Sequence, residues 1–263
     1  MQSHLNIDKS TVIEGLERGE FFLLFQPRFD LFRQKITSAE ALVRWQHPVY
    51  GLLNPDRFIS TCEINGSIAE LGLWILKTAC EQMAIWHKNG INISVSVNLS
   101  PAQFNAGLND HVAQTLRDND LKPSSLELEI TEGILLSSEA VDILETIMTL
   151  GVHVSIDDFG TGHSSLAYLR KFAAHTLKID RSFLEDVPAN LDACLLLRTL
   201  IRLGHCLGMT VVCEGVEDQE QLEFLQISHI DQIQGFLLSK PVSPSELEII
   251  LDPHDNNKIL EYA

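Results

Sequence analysis

Five short runs of this chain alternate aliphatic and polar residues with a period of two, the spacing that separates the two faces of a β-strand. In residues 93–98 the aliphatics Ile93, Val95 and Val97 oppose Ser94, Ser96 and Asn98, and in 126–130 Leu126, Leu128 and Ile130 oppose Glu127 and Glu129. The same division sets Val152, Val154 and Ile156 against His153, Ser155 and Asp157, and Leu177 and Ile179 against Thr176, Lys178 and Asp180. In 210–214, Val211 and Cys213 oppose Thr210, Val212 and Glu214.

Helical signals lie between these runs. Asn54 before Pro55 has the form of an N-cap with proline at the first helical position, and Ser67 with Glu70 predicts a capping box opening a helix toward Gly90. Ser243, Pro244 and Glu246 repeat that signature, and Ser100 before Pro101 predicts a further helix start. Helices are also expected over 138–150, 164–171, 190–207 and 218–226. Such alternation predicts an α/β fold with parallel strands, because parallel neighbours need crossover connections. If the helices cover the aliphatic faces, the polar faces converge inside a closed, TIM-like (β/α)8 barrel; an open sheet with one wet face is the alternative. The polar residue ending each strand would then lie at the barrel mouth, where barrel enzymes place their chemistry.

The length of 263 residues suits one such barrel, and the sequence has no linker, low-complexity tract or matching repeat, so one domain over 1–263 is expected. A composition of 45% hydrophobic and 21% charged residues excludes a mainly disordered chain. Lys plus Arg number 19 against 36 Asp plus Glu, and the formal charge of −17 argues against binding polymeric nucleic acid. Five widely spaced cysteines, Cys62, Cys80, Cys194, Cys206 and Cys213, include no CxxC pair and suggest a reducing compartment. The first ten residues lack a basic segment followed by an apolar run, so no secretion signal is read. The most apolar stretch, 193–212, is broken by Arg198, Arg202 and His205 and by two glycines, so no membrane span is expected and a cytoplasmic location is. The histidines form no HxH or HxxxH ligand set, and Trp45, Trp74 and Trp86 read as packing residues.

Candidate chemistry collects at the strand ends: Glu40, Asn98, Glu129, Asp157, Asp158 and Glu214, with Lys178 and Gln234 in comparable positions. Converging carboxylates repel one another unless a cation neutralises them. All-oxygen ligands favour Mg²⁺, Mn²⁺ or Ca²⁺ over zinc, and the adjacent acids Asp157 and Asp158 allow one carboxylate to bridge two ions. Two such ions can orient a water and stabilise in-line displacement at phosphorus, so the pattern points to metal-dependent phosphoryl or phosphodiester hydrolysis.

Ordered motifs narrow this class. Phe22-Leu-Leu-Phe-Gln-Pro27, Glu40-Ala-Leu-Val-Arg-Trp45 and His47-Pro48 are followed by Asn98-Leu-Ser100, Glu129-Ile-Thr-Glu132 and Asp157-Asp-Phe-Gly-Thr-Gly162. Lys178-Ile-Asp180, Glu214-Gly-Val-Glu217 and Gln234-Gly235 complete the series. Together they resemble the EAL domain, the cyclic-di-GMP phosphodiesterase family, over about residues 8–251. The resemblance implies a modified barrel with one antiparallel strand and hydrolysis of cyclic-di-GMP to linear 5′-pGpG, lowering a bacterial second messenger. It implies two Mg²⁺ or Mn²⁺ ions, one held by Glu40, Asn98, Glu129 and Asp157, the other by Asp157, Asp158 and Glu214, with Asp157 as the bridge. By the same similarity Gln234 would hold a metal-bound water, help complete the second site or face substrate, and Lys178 would position the attacking water. A deprotonated Lys178 could instead act as a base.

Gln26 and Arg44 share the inward parity of Glu40 and by resemblance would face the substrate; the Arg44 fork suits a phosphate oxygen. Glu132 resembles the glutamate that anchors the loop 158–162, in which Gly160 and Gly162 permit unusual backbone conformations. That loop lies beside a dimer interface in the family, so a homodimer is expected. Departures from the usual pattern are Phe25, Arg28, His163 and Cys213, none of which removes a ligand. His163 bears on dimer coupling. The alternative function is a catalytically silent cyclic-di-GMP receptor signalling through a partner. A two-metal hydrolase of another phosphodiester fits the motifs poorly. Sensory or regulatory domains commonly accompany this family, and the chain is either free-standing or part of a longer protein.

Overall fold

The computed structural model describes residues 7–105, 107–160 and 166–252. Helix α1 (Lys9–Glu17) leads into β1 (Phe21–Asp30), β2 (Lys35–His47) and the short β3 (Gly51–Leu53). After α2 (Ile59–Asn65) and α3 (Ile68–Lys88), strand and helix alternate: β4 (Ser94–Asn98), α4 (Leu108–Asp118), β5 (Leu126–Thr131), α5 (Ser138–Thr149), β6 (His153–Phe159) and α6 (Leu166–Lys171). The series ends with β7 (Thr176–Ile179), α7 (Leu191–Cys206), β8 (Thr210–Cys213), α8 (Gln219–Ile227), β9 (Gln232–Ile233) and α9 (Pro244–Ile250).

Strands β2 and β4 to β9 run parallel in that order, and β1 closes the ring by pairing antiparallel with both β2 and β9. The result is a closed eight-stranded mixed barrel, with β3 hydrogen-bonded to β2 outside the ring. This bears out the closed barrel over the open sheet. The antiparallel strand has a local cause: only residues 31–34 separate β1 from β2, too few for a crossover. That turn is held by Asp30, whose Oδ1 accepts from the backbone N–H groups of Phe32 and Arg33.

The alternation foreseen in the sequence divides the barrel wall. Val95, Val97, Leu126, Leu128, Ile130, Val154, Ile156, Leu177, Ile179, Val211 and Cys213 are buried in the apolar layer between strands and helices. On the opposite parity, Ser96, Glu127, Glu129, Ser155 and Lys178 are buried inside the ring. Helix α3 seals one side, its Trp86 ring set edge-on to Phe25 and its indole N–H donating to Glu248 at 3.0 Å. Trp45 stacks on Phe21 with centroids 4.5 Å apart, so Trp45 and Trp86 are packing residues, as expected.

Helix boundaries differ in places from the expectations. Asn190 and Asp218 are N-caps standing outside α7 and α8. The box at Ser243 and Glu246 forms, and Ser100 caps a single 3-10 turn, Pro101–Gln103, through a reciprocal box with Gln103. The capping box at Ser67 does not form. Gly66 takes a left-handed conformation (φ 78°) that ends α2, Ser67 is already helical, and its N–H donates to Asn65 Oδ1. Glu70 pairs with Lys9 instead. Asn54 makes no side-chain cap, and the turn it precedes is 3-10 (Pro55–Arg57) before α2 begins. Among the described residues no helix is long and apolar enough to cross a membrane.

Candidate active site

Glu40 lies on β2, Asn98 ends β4, Glu129 lies near the end of β5, Lys178 is on β7, Glu214 follows β8 and Gln234 follows β9. Inward parity and a common strand direction bring all six to one end of the ring. Asp157 and Asp158 are neighbours on β6, and a regular strand would send them to opposite faces. A register shift prevents this: Ile156 pairs with Leu177 and Phe159 with Ile179, so β6 carries one extra residue. Asp158 sits in the left-handed region (φ 52°), and its N–H donates to Asp157 Oδ1 at 2.9 Å. Asp157, Asp158 and Glu214 thereby offer carboxylate oxygens within 4.8 Å of one another.

Lys178 is the hub. Its buried ammonium lies 2.6 Å from Glu214, 3.0 Å from Asp157 and 3.6 Å from Glu40, and it also pairs with Glu129. Burial favours the neutral amine, but Asp157, Glu214 and Glu40 outweigh burial and hold it charged, well above the usual lysine range. Glu40 is held below its ordinary range: burial opposes the charge, while Lys178 and Arg28 overcome that cost. Glu214 is pushed up to about 7, first by burial and then by Asp157 and Glu40, despite the Lys178 contact. Burial and the neighbouring Asp157 likewise raise Asp158.

Glu40 is fixed from both sides, accepting from Asn98 Nδ2 at 2.8 Å and Gln234 Nε2 at 2.7 Å. Gln234 Nε2 also donates to Gln26 Oε1 at 3.1 Å, and Gln26 donates to the Ser239 carbonyl. The Gln234 carbonyl oxygen accepts from Arg28 Nε at 3.0 Å, which settles its amide orientation because a guanidinium can only donate. Gln234 therefore presents donors to Glu40 and Gln26. Beside it, Gly235 is required by a close approach, since a Cβ there would lie 2.1 Å from the Val216 carbonyl oxygen.

A cavity of about 200 Å³ opens at this end, lined by Gln26, Glu40, Asp157, Lys178, Glu214 and Gln234 and rimmed by Arg181, Glu217 and Phe236. A neighbouring pocket of about 430 Å³ shares Leu42 and includes Asn98, Pro101 and Thr131. Arg44 does not line either space: half-buried, it donates to the Val43 carbonyl. Glu132 is buried at the start of the 3-10 segment following β5. Gly160 has φ 96°, and a Cβ there would meet the Phe183 ring at 2.5 Å. Gly162 and His163 lie outside the described residues.

Sequence reading passed over Arg28 and Glu127 as site components. Arg28 appeared only as a departure, although its parity matches Gln26; Glu127 shares the face of Glu129. Phe236 and Arg181, in the loops after β9 and β7, carried no periodic signal.

The donor set fits hard divalent cations. Five carboxylates, from Glu40, Glu129, Asp157, Asp158 and Glu214, gather at this end around the buried Lys178, leaving a surplus of negative charge among oxygen ligands, while Glu127 is paired below them with Arg28. Asp157, Asp158 and Glu214 could hold a metal ion.

Fold and site together define an α/β-barrel protein with an acidic, oxygen-rich centre at the C-terminal ends of its parallel strands. The EAL domain family model matches residues 10–241, and the chain belongs to that family. It is 40% identical over 238 residues to the bifunctional diguanylate cyclase/cyclic di-GMP phosphodiesterase MucR of Pseudomonas aeruginosa, covering 89% of this chain and 35% of that protein. It is 40% identical over 242 residues to the cyclic di-GMP phosphodiesterase NbdA of the same organism, covering 90% of this chain and 31% of that protein. The chain thus spans about a third of the length of these curated relatives. The solved MucR phosphodiesterase in complex with c-di-GMP superimposes with a TM-score of 0.86 at 39% identity, over 90% of this chain and 98% of that one.

Proposed function

We propose that this chain, as a single EAL domain, is a phosphodiesterase that hydrolyses cyclic-di-GMP to linear 5′-pGpG with two Mg²⁺ or Mn²⁺ ions. The observation that carries the reading is the convergence of Asp157, Asp158 and Glu214 beside the Lys178 ammonium in an EAL-family barrel. Glu40, Asn98, Glu129 and Asp157 would hold one ion, and Asp157, Asp158 and Glu214 the other. Bound there, divalent cations supply positive charge to the phosphodiester oxygens and lower the pKa of a water.

The chain's own groups do the rest. Lys178, kept protonated by its carboxylates at the cavity wall, would donate an N–H to the attacking water or a phosphate oxygen once one of the carboxylates it now contacts turns to a metal ion. Asn98 and Gln234 orient Glu40 through its two oxygens. Gln26 stands at the cavity edge, where it can meet substrate, and Arg44 would reach a phosphate only after leaving the Val43 carbonyl. The cavity of about 200 Å³ suits the reacting phosphate, and the adjoining pocket of about 430 Å³ a guanine base. Water adds to phosphorus as one P–O3′ bond breaks, leaving a free 3′-hydroxyl and a 5′-phosphate.

A homodimer, with the loop beginning at Asp158 and Glu132 supporting it, completes the proposal, along with a sensory or regulatory partner. All five cysteines are free thiols, in keeping with a cytoplasmic location. The test is chromatographic detection of pGpG after incubation with cyclic-di-GMP and Mg²⁺ or Mn²⁺. Product must vanish with chelator and in Glu40→Ala. Tight cyclic-di-GMP binding without product in either metal would instead identify a receptor.

A further inference from the structure

A second buried cation of the barrel interior has as many side-chain partners as Lys178 and no step assigned to it in the scheme above. Arg28, on β1, is 1% exposed. Its Nη1 donates to Glu127 Oε2 at 2.7 Å, its Nη2 to Ser96 Oγ at 2.7 Å and also to Glu129 Oε1, and its Nε to Gln234 Oε1 at 3.0 Å. One guanidinium thus ties β1 to β4, to β5 twice, and to the segment after β9. Glu127, its lower anchor, also lines a polar cavity of about 750 Å³ at the opposite end of the barrel.

Two of these bonds bear on the proposed ligand set. Arg28 occupies Oε1 of Glu129, so the oxygen turned toward the Lys178 side is Oε2. Arg28 also takes the carbonyl of Gln234, which turns the amide donors of Gln234 onto Glu40. A single side chain therefore dictates which oxygen Glu129 offers and how Glu40 is held.

We propose that Arg28 is a positioning residue for the metal site, presetting Glu129 as a one-oxygen donor and orienting Glu40 through Gln234. This rests on the metal-dependent reading given above. The role needs the planar fork, because the four acceptors are met by three separate nitrogens, Nε, Nη1 and Nη2, spread across the guanidinium, and one ammonium nitrogen cannot occupy all three places at once.

The test compares wild type, Arg28→Lys and Arg28→Met. Free Mn²⁺ is followed by electron paramagnetic resonance during titration of substrate-free protein, and kcat and KM for cyclic-di-GMP are measured separately. Arg28→Lys keeps the charge and loses the fork; its Mn²⁺ affinity is expected to fall about 10- to 100-fold, the usual cost of losing support to a ligand. With Mn²⁺ saturating, kcat should fall while KM stays within about twofold, because Arg28 lies beneath the cavity and lines no part of it.

Wild-type Mn²⁺ affinity in Arg28→Lys overturns the proposal. So does tighter binding by Arg28→Met, which would make the guanidinium a repelling charge and not a support. If Arg28→Met does not fold, Glu127→Gln replaces it, loosening the lower anchor without touching a proposed ligand. Weaker Mn²⁺ binding is expected there too, and unchanged binding in both Arg28→Lys and Glu127→Gln overturns the proposal. A wild-type protein that binds no Mn²⁺ defeats the metal reading itself, and this proposal with it.

Discussion

Replacing Lys178 with methionine keeps most of the side-chain volume and removes the charge that four carboxylates share. The ammonium lies 2.6 Å from Glu214, 3.0 Å from Asp157 and 3.6 Å from Glu40, besides its contact with Glu129. At an effective dielectric of about 20, a pair near 3 Å contributes roughly 5 kcal/mol of gross attraction. Desolvation cancels much of that, and removing one partner from a buried ion cluster costs about 3–5 kcal/mol net. A chain of this size loses about 2–4 °C in Tm per kcal/mol, so Lys178→Met should melt roughly 6–20 °C below wild type in chelator. Scanning calorimetry at pH 7.5, with EDTA and then with excess Mn²⁺, measures the effect. Divalent cation should raise the variant's Tm more than that of wild type, since the orphaned carboxylates then gain a counter-charge. A variant that melts within about 2 °C of wild type in EDTA would show that the ion cluster contributes no net stability, refuting the reasoning.

Other consequences follow from the same geometry. Because folding raises the Glu214 pKa to about 7 from 4.5, this carboxyl stabilises the metal-free fold fully below about pH 4.5, and that contribution disappears as pH rises through 7. Metal-free wild type should therefore lose Tm between about pH 4.5 and 7 relative to Glu214→Gln, and parallel curves would rule this out. Asp158→Asn suits the left-handed backbone and removes repulsion from Asp157, so chelated protein should be no less stable while pGpG formation falls by at least about 100-fold; a drop in both would point to a structural role. Gly235→Ala drives a methyl into the Val216 backbone and displaces Gln234, at about 1–3 kcal/mol and with reduced kcat; wild-type calorimetry and kinetics would contradict the packing argument.

Much of the architecture was legible because it depends on local pattern. Alternation in 93–98, 126–130, 152–157 and 176–180 separated the helix-facing aliphatics from the barrel-lining Ser96, Glu127, Glu129, Ser155 and Lys178, and burial in the structure follows that parity. The reciprocal caps at Ser100 and Ser243 were equally local. Ser67 misled for a local reason too: its residue type fits a cap and it stands just before the helix, but Gly66 ends the preceding helix and leaves Ser67 with helical dihedrals, from which its side chain makes no cap. Strands β1 and β9 carried a shorter periodic signal, the first being apolar on both parities until Phe25 and alternating only from there to Asp30, and the second only Gln232–Ile233.

The sequence by itself determined which residue types occupy the inner face of each strand and that their acids must meet if the sheet closes. Ring closure was decided by long-range pairing: β1 joins β2 and β9, whose residues lie some two hundred positions apart. Tertiary structure also decided that Asp157 and Asp158 act together, because an extra residue in β6 and a left-handed backbone cancel the alternation that would part them. It decided, finally, that Arg28 is an internal cation and not a surface charge. Its partners come from β4, β5 and the segment after β9, and residue type alone does not reveal which carboxylates will lie within 3 Å of a guanidinium once the barrel has closed.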